Sequence, residues 1–225
     1  MKAGIIGLSS VGKTTIFNVI SGFLDTQVGG IVLDGRAIEN WAPHRIAQCG
    51  LGRTFQAPRV FAEMSVLENV VVGLRQRGEQ PLRALLRTRP VRVERKEAVR
   101  RAEAMLEGVG LIDRRHDEAR RLSFGEQRFL SIARTLVANP VLVLMDEPTV
   151  GLDQIALEKL LAIMTRMIAG QATTLLLIEH HMETVMSISD KIVLLVQGTV
   201  VGEGTPAEIK TDRNMIEAYL GRHAS

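Results

Sequence analysis

Three short stretches of this 225-residue sequence carry residue types whose spacing suits phosphate binding and water activation. Gly7-Leu8-Ser9-Ser10-Val11-Gly12-Lys13-Thr14 fits the pattern Gly-x-x-x-x-Gly-Lys-Ser/Thr. In such a loop, successive backbone N–H groups and the start of the next helix wrap a β-phosphate. Lys13 neutralises the β and γ oxygens, and the Thr14 hydroxyl coordinates Mg²⁺. The second stretch, Leu142-Val143-Leu144-Met145-Asp146-Glu147, is an apolar run that ends in two acids. A buried parallel strand ends this way where carboxylates meet a cation or activate water at the sheet's C-terminal edge, the edge at which α/β folds bind ligands. Asp146 would hold Mg²⁺, and Glu147 would orient or deprotonate an attacking water. The third, Leu122-Ser123-Phe124-Gly125-Glu126-Gln127, stands before a helical pattern. Ser123-x-x-Glu126 is a capping box and needs no ligand to explain it. Gly125 is not accounted for by capping: it lets a backbone approach something closely, and the free N–H groups of a helix start suit a phosphate.

The elements that must position these residues are legible from periodicity. Ala3–Ile6 reads as a strand ending at a glycine, and Ile16, Val19 and Ile20 have helical spacing, so the phosphate loop lies between strand and helix. Ile31–Leu33 followed by Asp34-Gly35 reads as a short strand and turn. Residues 58–121 turn helical and Arg-rich, with breaks at 78–81 and at Pro90. Strand and helix then alternate: helix 126–138, strand 141–145, helix 155–169, strand 173–178, helix 182–188, strand 191–196, a Gln197-Gly198 turn and strand 199–203. Thr205-Pro206-Ala207-Glu208 is a second capping box with proline at the first helical position, and it opens a terminal helix. This alternation predicts an α/β fold with a mostly parallel sheet flanked by helices. The expected division is a core of residues 1–56 and 121–225, short at its N-terminus, with an inserted α-helical subdomain at 57–120.

Composition bounds the rest. With 46% hydrophobic and 24% charged residues the chain suits one α/β domain with an insertion, and with 6 Phe, 1 Trp and 1 Tyr its core must be mainly aliphatic and Met. A single cysteine, Cys49, forms no internal disulfide and completes no zinc spacing, which suits a reducing cytosol. No apolar run reaches the roughly 18–20 residues that cross a bilayer. Met1–Leu8 reads as mature protein rather than as a leader. Charge is uneven: between Arg75 and Arg101 ten basic residues face three acidic ones, giving a net +7 against +3 for the whole chain. Such a block is either a solvated helix face or a neighbour to an anionic surface.

The order of phosphate loop, Gln56 in Thr54-Phe55-Gln56, Leu122–Gln127, Asp146-Glu147, Gly151-Leu152-Asp153, and His180 in Ile178-Glu179-His180 resembles the ATP-binding subunits of ABC transporters. Gly52–Gln56, Phe61–Val70, Ile178–Met182, and Gln197-Gly198 through Gly204-Thr205-Pro206 look like the branched-chain amino-acid import subgroup. The similarity runs from Gly4 to Gly221. The resemblance implies a P-loop NTPase fold and an ATPase using ATP and Mg²⁺. Gly7, Ser9, Ser10, Val11, Gly12, Lys13, Thr14 and Thr15 would cradle the nucleotide. Gln56 would contact Mg²⁺ and the lytic water and sense the membrane partner, beside Thr14 and Asp146 as metal ligands. His180 would meet the γ-phosphate, with Glu147 and Gln56 completing the catalytic set. Ser123 and Gly125 would bind ATP held by an opposite subunit, and Asp153 would cross that dimer interface.

The implied partners are transmembrane permease subunits, a second ATPase subunit (identical or related), and indirectly a solute-binding protein, with no nucleic acid. The implied place is the cytoplasmic face of the plasma membrane, as a peripheral subunit. Ser10 and Val11 differ from the glycine and small residue usual in the family loop, His181 stands where the subgroup has Asp, and Asp153-Gln154 replaces Asn-Pro. Six residues precede Gly7, none of them aromatic. The family has antiparallel strands and an adenine-stacking aromatic there, so the expectation is a start upstream of Met1. The competing readings are a shortened, poorly catalytic docking subunit and a soluble ATPase of this type acting on nucleic acid.

Overall fold

The computed structural model of the chain describes residues 2–7, 13–26, 28–74, 89–169, 173–179 and 182–211. Ser9, Ser10, Val11, Gly12 and His180 lie outside them, as do residues 75–88 of the basic block. The described residues group into two compact units: 1–56 with 141–150 and 172–225, and 57–140 with 151–171.

The first unit is built on a six-stranded sheet in the order β4-β5-β6-β1-β7-β8. Its strands are β1 (Lys2–Gly7), β4 (Leu51–Arg53), β5 (Leu142–Asp146), β6 (Thr174–Glu179), β7 (Lys191–Val196) and β8 (Thr199–Gly204). All neighbours are parallel except β7 and β8, which the Gln197-Gly198 turn joins as a hairpin with both turn residues at positive φ. A short hairpin of β2 (Val32–Leu33) and β3 (Arg36–Ala37) stands apart. The sheet is the parallel α/β arrangement expected from the alternation of elements. Registers pair Ile6 with Glu179, Gly7 with Leu195, and Asp146 with Ile178. The C-terminal ends of β1, β5, β6 and β7 therefore share one edge.

Helix α1 (Lys13–Ile20) follows β1 across the phosphate-loop sequence. It anchors through Phe17, which is fully buried among Leu33, Ile38, Ile46, Leu51, Leu144, Ile178 and Leu195. Helix α2 (Pro43–Gln48) opens with proline at its first position and contributes Ile46 to that core. Helices α7 (Met182–Ile188) and α8 (Pro206–Thr211) complete the unit.

The second unit is helical. Helices α3 (Val66–Leu74), α4 (Arg89–Val109) and α5 (Phe124–Leu136) pack on one another, and α4 also touches α6 (Gln154–Ala169). Val66, Val70, Ala102, Leu106, Leu130, Ala133 and Leu136 are fully buried. We propose that the helical part takes in α5 and α6 as well as 57–120, since residues 57–140 and 151–171 group together. At Gly73 the backbones of α3 and α5 meet so closely that an added Cβ would lie 2.1 Å from the Arg134 carbonyl oxygen.

Capping boxes start three of the helices. Ser65 with Glu68 starts α3, Ser123 with Glu126 starts α5, and Thr205 with Glu208 starts α8. Each carboxylate accepts the N-cap backbone N–H, which satisfies a donor the helix cannot. Hydrogen bonds from Ser65 hold Glu68 below its ordinary pKa of 4.5, and bonds from Thr205 do the same for Glu208.

Two expectations follow from this packing. Gly73→Ala forces α3 and α5 apart and lowers the stability to urea unfolding by about 1–3 kcal/mol. The lowered carboxylates contribute stability that is complete above the ordinary carboxylate range and is lost as pH falls through their lower folded values. Glu68→Gln therefore flattens the acid loss of urea midpoint between about pH 6 and pH 3.

Candidate functional site

At the shared strand edge of the first unit, β5 ends at Asp146 and the chain turns at Glu147. That residue has φ 46°, the left-handed region, which costs a side chain with a Cβ about 1 kcal/mol or more. The turn is held from both sides. The Glu147 N–H donates to the Ile178 carbonyl at 2.9 Å, and the Val150 N–H donates to the Glu147 carbonyl at 3.3 Å. Two residues on, the Thr149 N–H and hydroxyl both donate to Glu179 Oε1, at 3.0 and 2.6 Å. Glu179 is completely buried at the end of β6, so the acidic turn is tied to the strand that leads directly into His180.

Gln56 reaches the same turn from the opposite side of β5. Its strand, β4, runs three residues beside β5, and the Thr54 N–H extends the ladder to the Leu144 carbonyl at 2.9 Å. From there the Gln56 side-chain amide donates to Glu147 Oε2 at 2.9 Å. Arg53, the last residue of β4, ties this segment to the far end of α1. Its guanidinium donates to the Phe17 carbonyl, the Ser21 hydroxyl and the Asn18 side chain at 3.3, 3.1 and 2.9 Å. Those bonds use one carbonyl and two side chains at the C-terminal end of the helix. Gly7 closes β1 at the edge, Lys13 opens α1, and Thr14 and Thr15 are exposed on its first turn.

Ser123, Gly125 and Asp153 belong to the second unit. Ser123 is the N-cap of α5, and its hydroxyl accepts the Glu126 N–H. A Cβ at Gly125 would meet only the side chains of Leu152 and Ala156, at 3.6 and 3.9 Å, which is ordinary contact. Packing within the chain does not demand glycine there. Gly151 does face a neighbour: its φ is 78°, and an added Cβ would come within 3.1 Å of the Phe124 ring. Asp153 Oδ1 accepts the Ala156 N–H at 2.8 Å and so caps α6.

Sequence reasoning singled out Asp146, Glu147 and Gln56, and the structure brings Gln56 onto Glu147. It did not single out Thr149 or Glu179. The available signal was the acid that ends the apolar run Leu175–Ile178. It also did not foresee Arg53, whose partners lie more than thirty residues away in sequence. Among the described residues no group of three or more His, Cys, Asp or Glu side chains converges on a metal position. No helix among them is long and apolar enough to cross a membrane.

A family model described as ABC transporter matches residues 1–150. The high-affinity branched-chain amino acid transport ATP-binding protein LivG of Salmonella typhimurium is 40% identical over 218 residues, covering 96% of this chain and 86% of that protein. The corresponding protein BraF of Pseudomonas aeruginosa is 39% identical over the same shares. Among solved structures, an ATP-binding cassette of an ABC transporter in its ADP conformation superposes with a TM-score of 0.79 at 31% identity. That superposition covers 98% of this chain and 87% of the other.

Thr149→Val removes the hydroxyl that donates to the buried Glu179 carboxylate. The expected loss is about 1.5–3 kcal/mol of stability to urea, with Thr149→Ser close to wild type.

Proposed function

The chain belongs to the ABC transporter family of ATP-binding subunits, and from that premise we propose that it powers uptake of branched-chain amino acids or related polar solutes. The names of its relatives LivG and BraF support that solute class. In this reading two ATPase subunits, identical or related, close around ATP on the cytoplasmic face of the membrane. They dock there on transmembrane permease subunits, which a solute-binding protein loads from outside.

The observation that carries the catalytic assignment is the Gln56–Glu147 hydrogen bond at the C-terminal ends of β4 and β5. It holds an amide and a carboxylate together at the edge where a bound γ-phosphate would present itself to water. Glu147 orients the attacking water and accepts its proton, Gln56 orients it from the other side, and His180 donates to the γ-phosphate. Gly7, Ser9, Ser10, Val11, Gly12, Lys13, Thr14 and Thr15 enclose the phosphates, with Lys13 offsetting the charge that develops on transfer. Ser123 and Gly125 present the start of α5 to ATP on the opposite subunit, and Asp153 lies in the loop at that interface. The room left at Gly125 supports this assignment, since the chain's own packing does not call for glycine.

The donor set fits Mg²⁺. The Thr14 hydroxyl, the Asp146 carboxylate and the Gln56 amide oxygen are hard oxygen ligands, few in number, as suits an ion that keeps substrate phosphates and water around it. When bound, Mg²⁺ neutralises charge on the β and γ oxygens.

Glu147→Gln is expected to lower ATP turnover by at least about a hundredfold while ATP still binds. Turnover equal to wild type would overturn the catalytic assignment. Gly125→Ala is expected to leave the melting temperature unchanged and to reduce turnover about tenfold or more. Uptake of labelled leucine by vesicles carrying the permease subunits and this chain tests the solute class.

A further inference from the structure

The start of α5 poses an electrostatic problem for any phosphate that approaches it. The positive end of a helix dipole and the free N–H groups of its first turn attract an anion. Here, however, an anion is already built in. Glu126, the third residue of α5, folds its carboxylate back over the N-cap, and Oε2 accepts the Ser123 N–H at 2.8 Å. Partial burial opposes that charge, but bonds from Ser123 and from Arg114 outweigh it and hold the Glu126 pKa below its ordinary value. Glu126 is therefore ionised at neutral pH, beside the N–H groups of Phe124 and Gly125. Asp117 adds a second carboxylate nearby.

A single cation is fixed between these two acids. Arg114 Nη1 lies 3.0 Å from both carboxylate oxygens of Glu126, and its Nε donates to Asp117 Oδ2 at 2.8 Å. Its Nη2 donates to the Arg121 carbonyl at 3.2 Å. The guanidinium is thus held on three sides, by Glu126 of α5, by Asp117 and by the turn at Ala119–Arg121. Such forked, charge-assisted bonding fixes position as well as charge. Of the neighbouring arginines, Arg115 pairs with Glu103, Arg120 and Arg121 pair with Glu118, and Arg128 lies 5.2 Å from the Phe124 ring centroid.

We infer that Arg114 is a positioning residue for nucleotide: it offsets the Glu126 carboxylate so that the start of α5 can accept a phosphate. The inference rests on the reading that Ser123 and Gly125 meet ATP of the opposite subunit. Arg114, Glu126 and Asp117 together carry one negative charge. Without Arg114 they carry two, and the added repulsion acts on an incoming polyanion. Replacing Glu126 by Gln in the same background returns the trio to one negative charge, and the side-chain oxygen of Gln can still accept the Ser123 N–H.

The test is the ATP dependence of turnover by the full chain, as wild type, R114Q, E126Q, R114K and R114Q/E126Q, with thermal melts alongside. R114Q is expected to raise the half-saturating ATP concentration about three- to tenfold, with a smaller effect on kcat and a defect that shrinks in high salt. R114K keeps the charge but loses the fork and falls between R114Q and wild type, and the double variant returns to within about twofold of wild type. If R114Q leaves the half-saturating concentration unchanged, or the double variant is as impaired as R114Q, the inference is overturned and Arg114 only braces the turns around it. Absence of ATP turnover in the wild-type chain would instead overturn the ATPase reading on which the inference stands.

Discussion

Strand β6 pairs on one side with β5 and on the other with β1, and the rest of the first unit depends on that double pairing. It puts the end of the strand before the phosphate loop, the end of the strand before Glu147, and the end of the strand before His180 at one edge. Parallel pairing makes this possible, since only parallel strands bring successive C-terminal ends to the same side. Backbone bonds then continue past the sheet. The Glu147 N–H donates to Ile178, and Thr149 donates twice to Glu179, so the ladder's geometry reaches the acidic turn itself. A left-handed residue with a Cβ is tolerated at position 147 because both neighbouring peptide groups are tied down.

Rigidity of this kind suits a site whose chemistry is positioning. Phosphoryl transfer to water asks little covalent work of the protein; it asks that water, phosphate and charge be held in line. Gln56 is placed by a three-residue strand anchored to the sheet on one side and, through Arg53, to α1 on the other. Helix α1 begins at Lys13, so one short segment links that helix to the amide beside Glu147.

In the helical unit, on the reading proposed for Ser123 and Gly125, a single motif would serve two purposes that pull against each other. The capping box at Ser123 stabilises α5 by placing a carboxylate over its positive end. A phosphate-binding role needs that same end open to an anion. Arg114 is placed where it can satisfy both, because its forked guanidinium reaches Glu126 while its remaining donors are occupied by Asp117 and the Arg121 carbonyl.

The parts of this protein that the sequence determined by itself are those whose physics is local. The phosphate-loop pattern, the apolar strand ending in Asp146-Glu147, the boxes at Ser123 and Thr205 and the alternation of strand and helix each depend on neighbours within a few residues, and periodicity reports them directly. The tertiary structure alone decided what meets across long separations. Gln56 and Glu147 are 91 residues apart in the chain, and Arg53 lies 35 from Asn18. β4 is three residues long, too short to show a period, and exists because β5 offers it a ladder. The buried Glu179 is legible only as an acid in an apolar run, until its two donors on Thr149 are seen.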